Sequence, residues 1–199
     1  MAIAREIQWL TPALAFWEAY EPSVKCDLTS SALVTAEGLV LVDPIALPAP
    51  ALAELAAAAP PAAILLTNGN HSRTAAAFRE KWGIRICATA GAAAELDLAP
   101  DVILADGDLT VGGLRVVALP AAGPGEAAFI GAGVAFIGDA LIHLGSHGFA
   151  LLPEKYRANA AALPNELRKL LSYDFHILTF AHGTPLTLHA RQRLENLLA

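Results

Sequence analysis

A short polar segment stands where an apolar strand pattern gives way to a helical one. It runs Asn68-Gly69-Asn70-His71-Ser72-Arg73, after an apolar stretch that ends at Thr67 and before a helical pattern that begins near Thr74. Asn and Ser side chains can hydrogen-bond to the backbone and cap a helix. Arg73 carries a permanent charge, and His71 can ligate a metal or carry a proton. The segment therefore has the residue types of a polar site at a strand–helix junction.

The elements around this segment fall into three groups along the chain. Short strands come first, strand–helix alternation follows, and hairpins precede a final helix–strand–helix run. The pattern predicts strands at 14–20, 31–35, 39–42, 62–66, 84–88 and 176–180, helices at 48–59, 74–82, 91–96, 164–171 and 187–198, and hairpins at 108–119 and 127–137. This order suits two mixed sheets packed face to face with helices outside, in a single domain over residues 1–199. A doubly wound parallel sheet would not contain the two hairpins.

The histidines between the second hairpin and the next helix are predicted to lie in a loop. His143 and His147 are four residues apart, which on a helix would form a metal-binding face. Gly145 and Gly148 argue against a helix there. Because this loop follows Asp139, His147 could reach over a site formed near that carboxylate.

Composition limits the classes of function. The 199 residues, 55% apolar and 16% charged, fit one well-buried domain. The net charge of -6 argues against a nucleic-acid surface. Apolar runs are too short to span a membrane, residues 1–10 lack a signal-peptide core, and Cys26 and Cys87 form no CxxC pair. We therefore expect a cytoplasmic protein that binds neither nucleic acid nor membrane, and the apolar fraction makes a homodimer plausible.

Several phrases along the chain together resemble the metallo-β-lactamase superfamily. They are Glu37–Asp43 (EGLVLVD), Thr67–Arg73 (TNGNHSR), Leu119–Glu126 (LPAAGPGE), Phe136–Leu141 (FIGDAL) and Phe180–Pro185 (FAHGTP). Their order and spacing carry the resemblance over roughly residues 28–190. The resemblance implies an α/β (α+β) fold, a four-layer αββα sandwich of two mixed sheets flanked by helices. It also implies descent from metal-dependent hydrolases.

The family's metal ligands are mostly replaced in this chain. Its His-x-His-x-Asp-His motif falls on Asn68, Asn70, Ser72 and Arg73, and a further ligand histidine falls on Ala122. Only Asp139, at the bridging carboxylate position, and His182, at a late histidine position, keep ligand types. Amides are weak zinc ligands, and a cation at position 73 should repel a metal. We therefore expect no classical dinuclear centre, no such hydrolase activity, and no resident cofactor.

Three uses of the replaced site stay open. In the first, it is a metal-free polar cluster in which Arg73 neutralises Asp139. In the second, His71, Asp139 and His182 rebuild a site for one zinc or similar divalent ion, since three protein ligands suffice for a catalytic zinc. In the third, Arg73, His71 and His182 bind a small anion or another partner beside the helix start. If the protein is an enzyme, Asp139 and His182 are the best catalytic candidates, and Asn68, Asn70, His71, Ser72 and Arg73 are the binding candidates.

Overall fold

Two sheets lie face to face with helices on their outer sides in the computed structural model, which describes residues 2–145 and 148–199. The predicted αββα arrangement is confirmed. The strands are β1 (Gln8–Thr11), β2 (Leu14–Glu21), β3 (Cys26–Thr35), β4 (Gly38–Val42), β5 (Pro61–Leu65), β6 (Arg85–Thr89), β7 (Val102–Leu104), β8 (Arg115–Ala118), β9 (Ala127–Gly131), β10 (Gly133–Ile137), β11 (Leu141–Leu144), β12 (Gly148–Leu151) and β13 (Phe175–Phe180). The helices are α1 (Ala49–Ala58), α2 (Ala75–Trp82), α3 (Ala90–Ala93), α4 (Leu163–Arg168) and α5 (Ala190–Leu197). His147, which we placed near the site, lies outside the described residues.

Both main sheets mix parallel and antiparallel pairing. The first has the order β1-β2-β3-β4-β5-β6-β7, antiparallel through β4 and parallel from β4 to β7. The second has the order β13-β10-β9-β8, in which only β10 and β13 are parallel. Strands β11 and β12 form a separate antiparallel pair. The strand–helix alternation after β4 explains the parallel half of the first sheet.

Three apolar layers hold the sheets and helices together. The inner layer joins side chains of both sheets, including Val40, Leu65, Phe129 and Phe136. The outer layers pack α1 and α2 on the first sheet, and α4 and α5 on the second. Strands buried on both faces read as continuous apolar runs, as β4 does, because neither face meets water.

The full strand predicted at residues 108–111 is wrong, although the chain turns back at Gly112-Gly113 as predicted. The Thr110 N–H donates to the Leu114 carbonyl and the Val116 N–H to the Asp108 carbonyl, each at 2.9 Å. Only β8 is a regular strand there, and it pairs with β9. Residues 108–111 keep one isolated bridge, Leu109 to Arg115. Leu109 is exposed and only Thr110 is buried, so the segment lacks the apolar face of a full strand. The second predicted hairpin is confirmed as β9 and β10.

The loop predicted around His143 is also wrong. Strands β11 and β12 pair there, joining Leu141 to Leu151 and His143 to Phe149. A further bridge links His143 to Gly183, in the loop after β13. Contacts with distant residues therefore make this segment a strand, although its local sequence favours a loop.

The helix boundaries differ from prediction by a few residues. Gly83 ends α2 in a left-handed conformation, at φ +65°, as predicted. Helix α5 begins at Ala190, three residues later than expected, and a 3-10 turn at Lys169–Ser172 replaces the end of the predicted fourth helix. The short strands β1 and β7 were not predicted. Within the described residues, no helix is long and apolar enough to cross a membrane.

Candidate metal centre

The polar segment forms a tight turn that points His71 into the molecule. A 3-10 turn, Gly69–His71, follows β5, and the Asn68 Oδ1 caps it by accepting the Asn70 N–H at 2.9 Å. Gly69 is required because a β-carbon there would lie 2.5 Å from the Glu95 β-carbon. Asn70 is consequently exposed, whereas His71 is buried. The turn thus brings inward the residue next to the family's ligand position.

A buried carboxylate fixes the His71 imidazole. Asp43 accepts from the Thr67 N–H at 2.9 Å and from the Thr67 hydroxyl at 2.6 Å. Its Oδ2 lies 3.0 Å from His71 Nδ1. Since an ionised carboxylate only accepts, Nδ1 carries a proton, and in the neutral imidazole Nε2 then keeps the lone pair. Asp43 is thus a buried acceptor that orders this side of the molecule.

His182 is oriented in the same way from the opposite side. It follows β13, and its Nδ1 lies 3.1 Å from the Asp27 carbonyl oxygen and 3.4 Å from the Cys26 Sγ. Because a carbonyl oxygen only accepts, Nδ1 is again the donor. The Nε2 of His182 is therefore free to face Asp139.

Both Nε2 atoms converge on one oxygen of Asp139. Asp139 Oδ1 lies 3.3 Å from His71 Nε2 and 3.2 Å from His182 Nε2. Neither contact has hydrogen-bond geometry, and Oδ1 is buried without a hydrogen-bond partner among the described residues. The other oxygen, Oδ2, accepts from the Asn68 amide at 3.0 Å. The three potential ligand atoms lie within 4.8 Å of one another.

Within this cluster, interactions between charges shift the pKa values more than burial does. Burial opposes the imidazolium of His71, yet Asp139 and Asp43 raise its pKa to about 9. Burial likewise opposes ionised Asp139, but His71 and His182 hold its pKa well below the usual value. The pKa of His182 is raised as well, because contacts with Asp139 and Cys26 overcome its burial. Without a metal, the cluster therefore holds its charge as imidazolium–carboxylate pairs.

Arg73 does not take the place we expected for it. Its guanidinium donates to the backbone carbonyls of Thr29 at 2.7 Å, Asp43 at 2.9 Å and Ala181 at 3.1 Å. In the described part of the chain it forms no ion pair with Asp139, and the two histidines face that carboxylate instead. Arg73 thus ties β3, the end of β4 and the end of β13 together behind the site. Asp43 and Asp139 help to keep it charged despite its burial.

The sequence did not single out Glu126, which lies beside the cluster. Its Oε2 accepts from the Asn68 amide at 2.8 Å, and its Oε1 accepts from the Ala140 N–H at 3.0 Å. Burial first, and the charge of Asp139 second, raise its pKa to about 8. A charged residue directly before the apolar run of β9 was the signal available for it. Cys26, whose Sγ lies 3.4 Å from His182 Nδ1, was not indicated as a site residue by the sequence.

The remaining family positions contribute less. Ala122 is buried, as an apolar residue should be, and Ser72 is half-buried with its carbonyl accepting from Ala75 N. A cleft of about 900 Å³ opens over the cluster. It is lined by Asn68, Asn70, His71, Arg73, Glu126, Asp139 and His182, but not by Ser72. The structure therefore brings together all the predicted site residues except Ser72.

Comparisons with known proteins agree with this architecture. The family model described as the metallo-beta-lactamase superfamily matches residues 8–199. A metallo-beta-lactamase from Pontibacter korlensis is 17% identical, with a TM-score of 0.73 over 97% of this chain and 98% of that one. One from Erythrobacter litoralis, solved with beta-mercaptoethanol in its active site, is 18% identical, with a TM-score of 0.74 over 96% and 95%.

A metallo-beta-lactamase family protein from Thermus thermophilus is 23% identical, with a TM-score of 0.65 over 96% of this chain and 79% of that one. Among curated proteins, none matches the sequence. At such low identities the solved structures establish the shared fold alone, and the match to the family model establishes membership. The chain belongs to the metallo-beta-lactamase superfamily.

Proposed function

We propose that this protein is a metal-dependent hydrolase with a single-ion site formed by His71, Asp139 and His182. The observation that carries the proposal is the orphaned oxygen of Asp139. A buried carboxylate oxygen without a donor is costly, and here the two Nε2 atoms lie 3.3 and 3.2 Å from it without hydrogen-bond geometry. A divalent cation among these atoms would satisfy all three at once.

The donor set fits such an ion. Two neutral imidazoles and one carboxylate are ligands that zinc accepts, and catalytic zinc sites use three protein ligands with one position open. Each imidazole also has a partner on its other nitrogen, Asp43 for His71 and the Asp27 carbonyl for His182. Such partners fix ligand orientation in metal sites. The family's dinuclear set is not available, because Asn68, Asn70, Ala122, Ser72 and Arg73 stand at its other positions.

In this proposal the chain's own residues prepare the site. A divalent ion held by three protein ligands polarises a substrate carbonyl and activates water. Asn68 holds Asp139 by its Oδ2 and so directs Oδ1 to the histidines. Asp43 keeps the His71 proton on Nδ1. Glu126 lines the cleft, and with a pKa of about 8 its carboxyl can hold or release a proton near neutral pH.

A metal-free polar cluster is the second candidate, and the pKa of about 9 for His71 favours it. An imidazolium between Asp43 and Asp139 would offset part of their negative charge without a metal. In this alternative His71 takes the role that we had expected of Arg73. The cleft would then serve binding rather than hydrolysis.

Metal content separates the two candidates. The protein is purified without affinity-tag metal or chelators, analysed by plasma mass spectrometry, and then titrated with zinc after dialysis against EDTA. We expect about one equivalent of bound metal, as for a three-ligand site. Substituting His71→Ala or His182→Ala should weaken zinc binding at least tenfold, whereas His176→Ala, an exposed histidine on β13, should leave it unchanged. Absence of zinc binding, or zinc affinity indifferent to His71, would reject the single-ion site.

A further inference from the structure

The mouth of the cleft is apolar and open. Its described lining includes Val24, Ile142, Leu144, Leu152 and Tyr156. Val24 is 58% exposed and Tyr156 is 62% exposed, although both are large apolar side chains beside a cavity. Exposed apolar surface gathered around a cleft with a few polar groups at its floor is typical of a small-molecule site. The mouth therefore suits an apolar arm of a substrate.

The edge of the cleft carries acidic side chains. Glu21 and Glu95 line its edge, and Glu126 and Asp139 lie deeper. Arg73 is the one Lys or Arg among the described lining residues, and three of its N–H groups already donate to backbone carbonyls. An anionic ligand would enter near these carboxylates without a free arginine or lysine to pair with. A substrate with a carboxylate on the arm that lies in the mouth is consequently a poor match.

On the basis of the proposed single-ion site, we infer that the substrate is an uncharged carboxylic ester or lactone with an apolar chain. The apolar chain lies along the mouth, and the ester carbonyl reaches the cluster at the floor. Hydrolysis adds one water to the acyl carbon, breaks the acyl carbon–oxygen bond and returns a proton to the leaving oxygen. The products are an alcohol and a carboxylate. Glu95, at the edge of the cleft, repels the departing carboxylate and favours its release.

A matched pair of esters tests the charge preference. Zinc-loaded protein is assayed with p-nitrophenyl hexanoate and with the mono-p-nitrophenyl ester of adipic acid, which has the same acyl length and a terminal carboxylate. Their leaving group is identical, so the ratio of kcat/KM reports the charge of the acyl chain. We expect the neutral ester to be preferred by roughly tenfold or more. The His71→Ala protein supplies the background rate.

Charge variants link this preference to the cleft. Substituting Glu95→Lys should reduce the ratio severalfold, because a cation replaces an anion at the edge of the cleft. Glu80→Lys makes the same charge change on the exposed side of α2 and should leave the ratio unchanged. A shorter ester, p-nitrophenyl acetate, should have a lower kcat/KM than the hexanoate, by about fourfold for each methylene buried in the mouth.

The outcomes distinguish this inference from the proposed function. Failure to bind zinc defeats the proposed single-ion site itself. If zinc binds at His71 and the neutral ester is preferred, the inference is supported. If zinc binds but the anionic ester is hydrolysed equally well or better, or neither ester is hydrolysed, the inference is overturned while the metal site stands.

Discussion

One amide side chain connects the two carboxylates at the floor of the cleft. The Asn68 Nδ2 donates to Glu126 at 2.8 Å and to Asp139 at 3.0 Å, while its Oδ1 accepts from the backbone of Asn70. Each polar group of this side chain therefore has a partner. Asn68 stands at a ligand position of the family, yet in this structure it positions Asp139 for the histidines.

Replacing Asn68 should therefore weaken metal binding without removing a ligand. In Asn68→Ala, Asp139 loses the donor on its Oδ2, and its Oδ1 is no longer held toward the histidines. We expect zinc affinity to fall about 10–100-fold, the usual effect of losing a partner of a metal ligand. Calorimetric titration measures the change. Asn70→Ala, in the same turn but exposed, is the control and should bind zinc normally. Equal affinities for the wild type and Asn68→Ala would show that Asn68 does not position the carboxylate.

Arg73 has a structural role behind the site. Its guanidinium satisfies carbonyls on three separate segments, and its backbone lies at φ +42°, in the left-handed region. Removing a donor that serves buried carbonyls leaves them unsatisfied, at about 1–3 kcal/mol for each group. Substituting Arg73 also removes a buried charge, which offsets part of this loss.

We expect Arg73→Ala to lower the free energy of unfolding by about 2–4 kcal/mol. Urea denaturation of the two proteins measures the difference. Arg79→Ala provides the comparison, because Arg79 makes an exposed hydrogen bond to the Ala99 carbonyl and an ion pair with Asp101 at 3.6 Å. That variant should lose less than about 1 kcal/mol. A similar loss in both variants would show that the three carbonyl contacts add nothing.

At the scale of elements, three chain segments each deliver one candidate ligand of the proposed site. His71 comes from the turn after β5, Asp139 follows β10, and His182 follows β13. Strands β10 and β13 are parallel neighbours, so their carboxyl ends meet at one edge of the second sheet. Strand β5 ends at the facing edge of the first sheet. The site thus forms where the two sheets meet at the ends of these strands.

Close packing of β11 against the loop after β13 holds His182 in place. Gly183 has φ +99°, and a β-carbon there would lie 2.0 Å from the His143 carbonyl oxygen. Its neighbour His182 accepts from the His143 N–H at 3.2 Å through its backbone carbonyl. A side chain at position 183 would force β11 and this loop apart.

Gly183→Ala should therefore displace His182 and weaken zinc binding at least tenfold. Gly145→Ala is the matched control in the same region, because a β-carbon there meets nothing within 4 Å. Circular dichroism shows whether both variants fold, and zinc titration compares their affinities. Wild-type affinity in a folded Gly183→Ala protein would mean that the loop keeps His182 in place without this packing.

The sequence predicted elements whose signals are local and missed those set by distant contacts. The predicted end of α2 at Gly83 rests on a glycine's preference for the left-handed conformation, and it is confirmed. The β11–β12 pair was missed because Gly145 and Gly148 favour a loop locally, and because one bridge of β11, from His143 to Gly183, joins residues far apart in the chain. The inward direction of His71 depends on a 3-10 turn that Asn68 caps, which spacing alone does not reveal.

For the whole molecule, the charges gathered in one cluster set the pH dependence of stability. The raised pKa values of His71 and Glu126 mean that the folded protein binds these protons more tightly than the unfolded chain does. Their stabilising effect is complete below the unfolded pKa values, 6.5 and 4.5, and is lost as pH rises through about 9 and about 8. Asp43 and Asp139 have lowered pKa values, so they stabilise the fold in the ionised form. Their contribution to the free energy of unfolding is lost as pH falls below the ordinary pKa of 3.8. The metal-free protein should accordingly be most stable in mildly acidic solution.

We expect the free energy of unfolding of the EDTA-treated protein to fall by about 6 kcal/mol between pH 6 and pH 9, because each pKa unit is worth about 1.4 kcal/mol. Urea denaturation across this range measures the slope. In Glu126→Gln the side chain no longer titrates, so the slope between pH 5 and pH 8 should become shallower. In His71→Gln the slope between pH 6.5 and pH 9 should flatten, whereas His176→Ala should retain it. Stability that stays level or rises from pH 6.5 to pH 9 in the metal-free protein would show that His71 is not held as an imidazolium between Asp43 and Asp139.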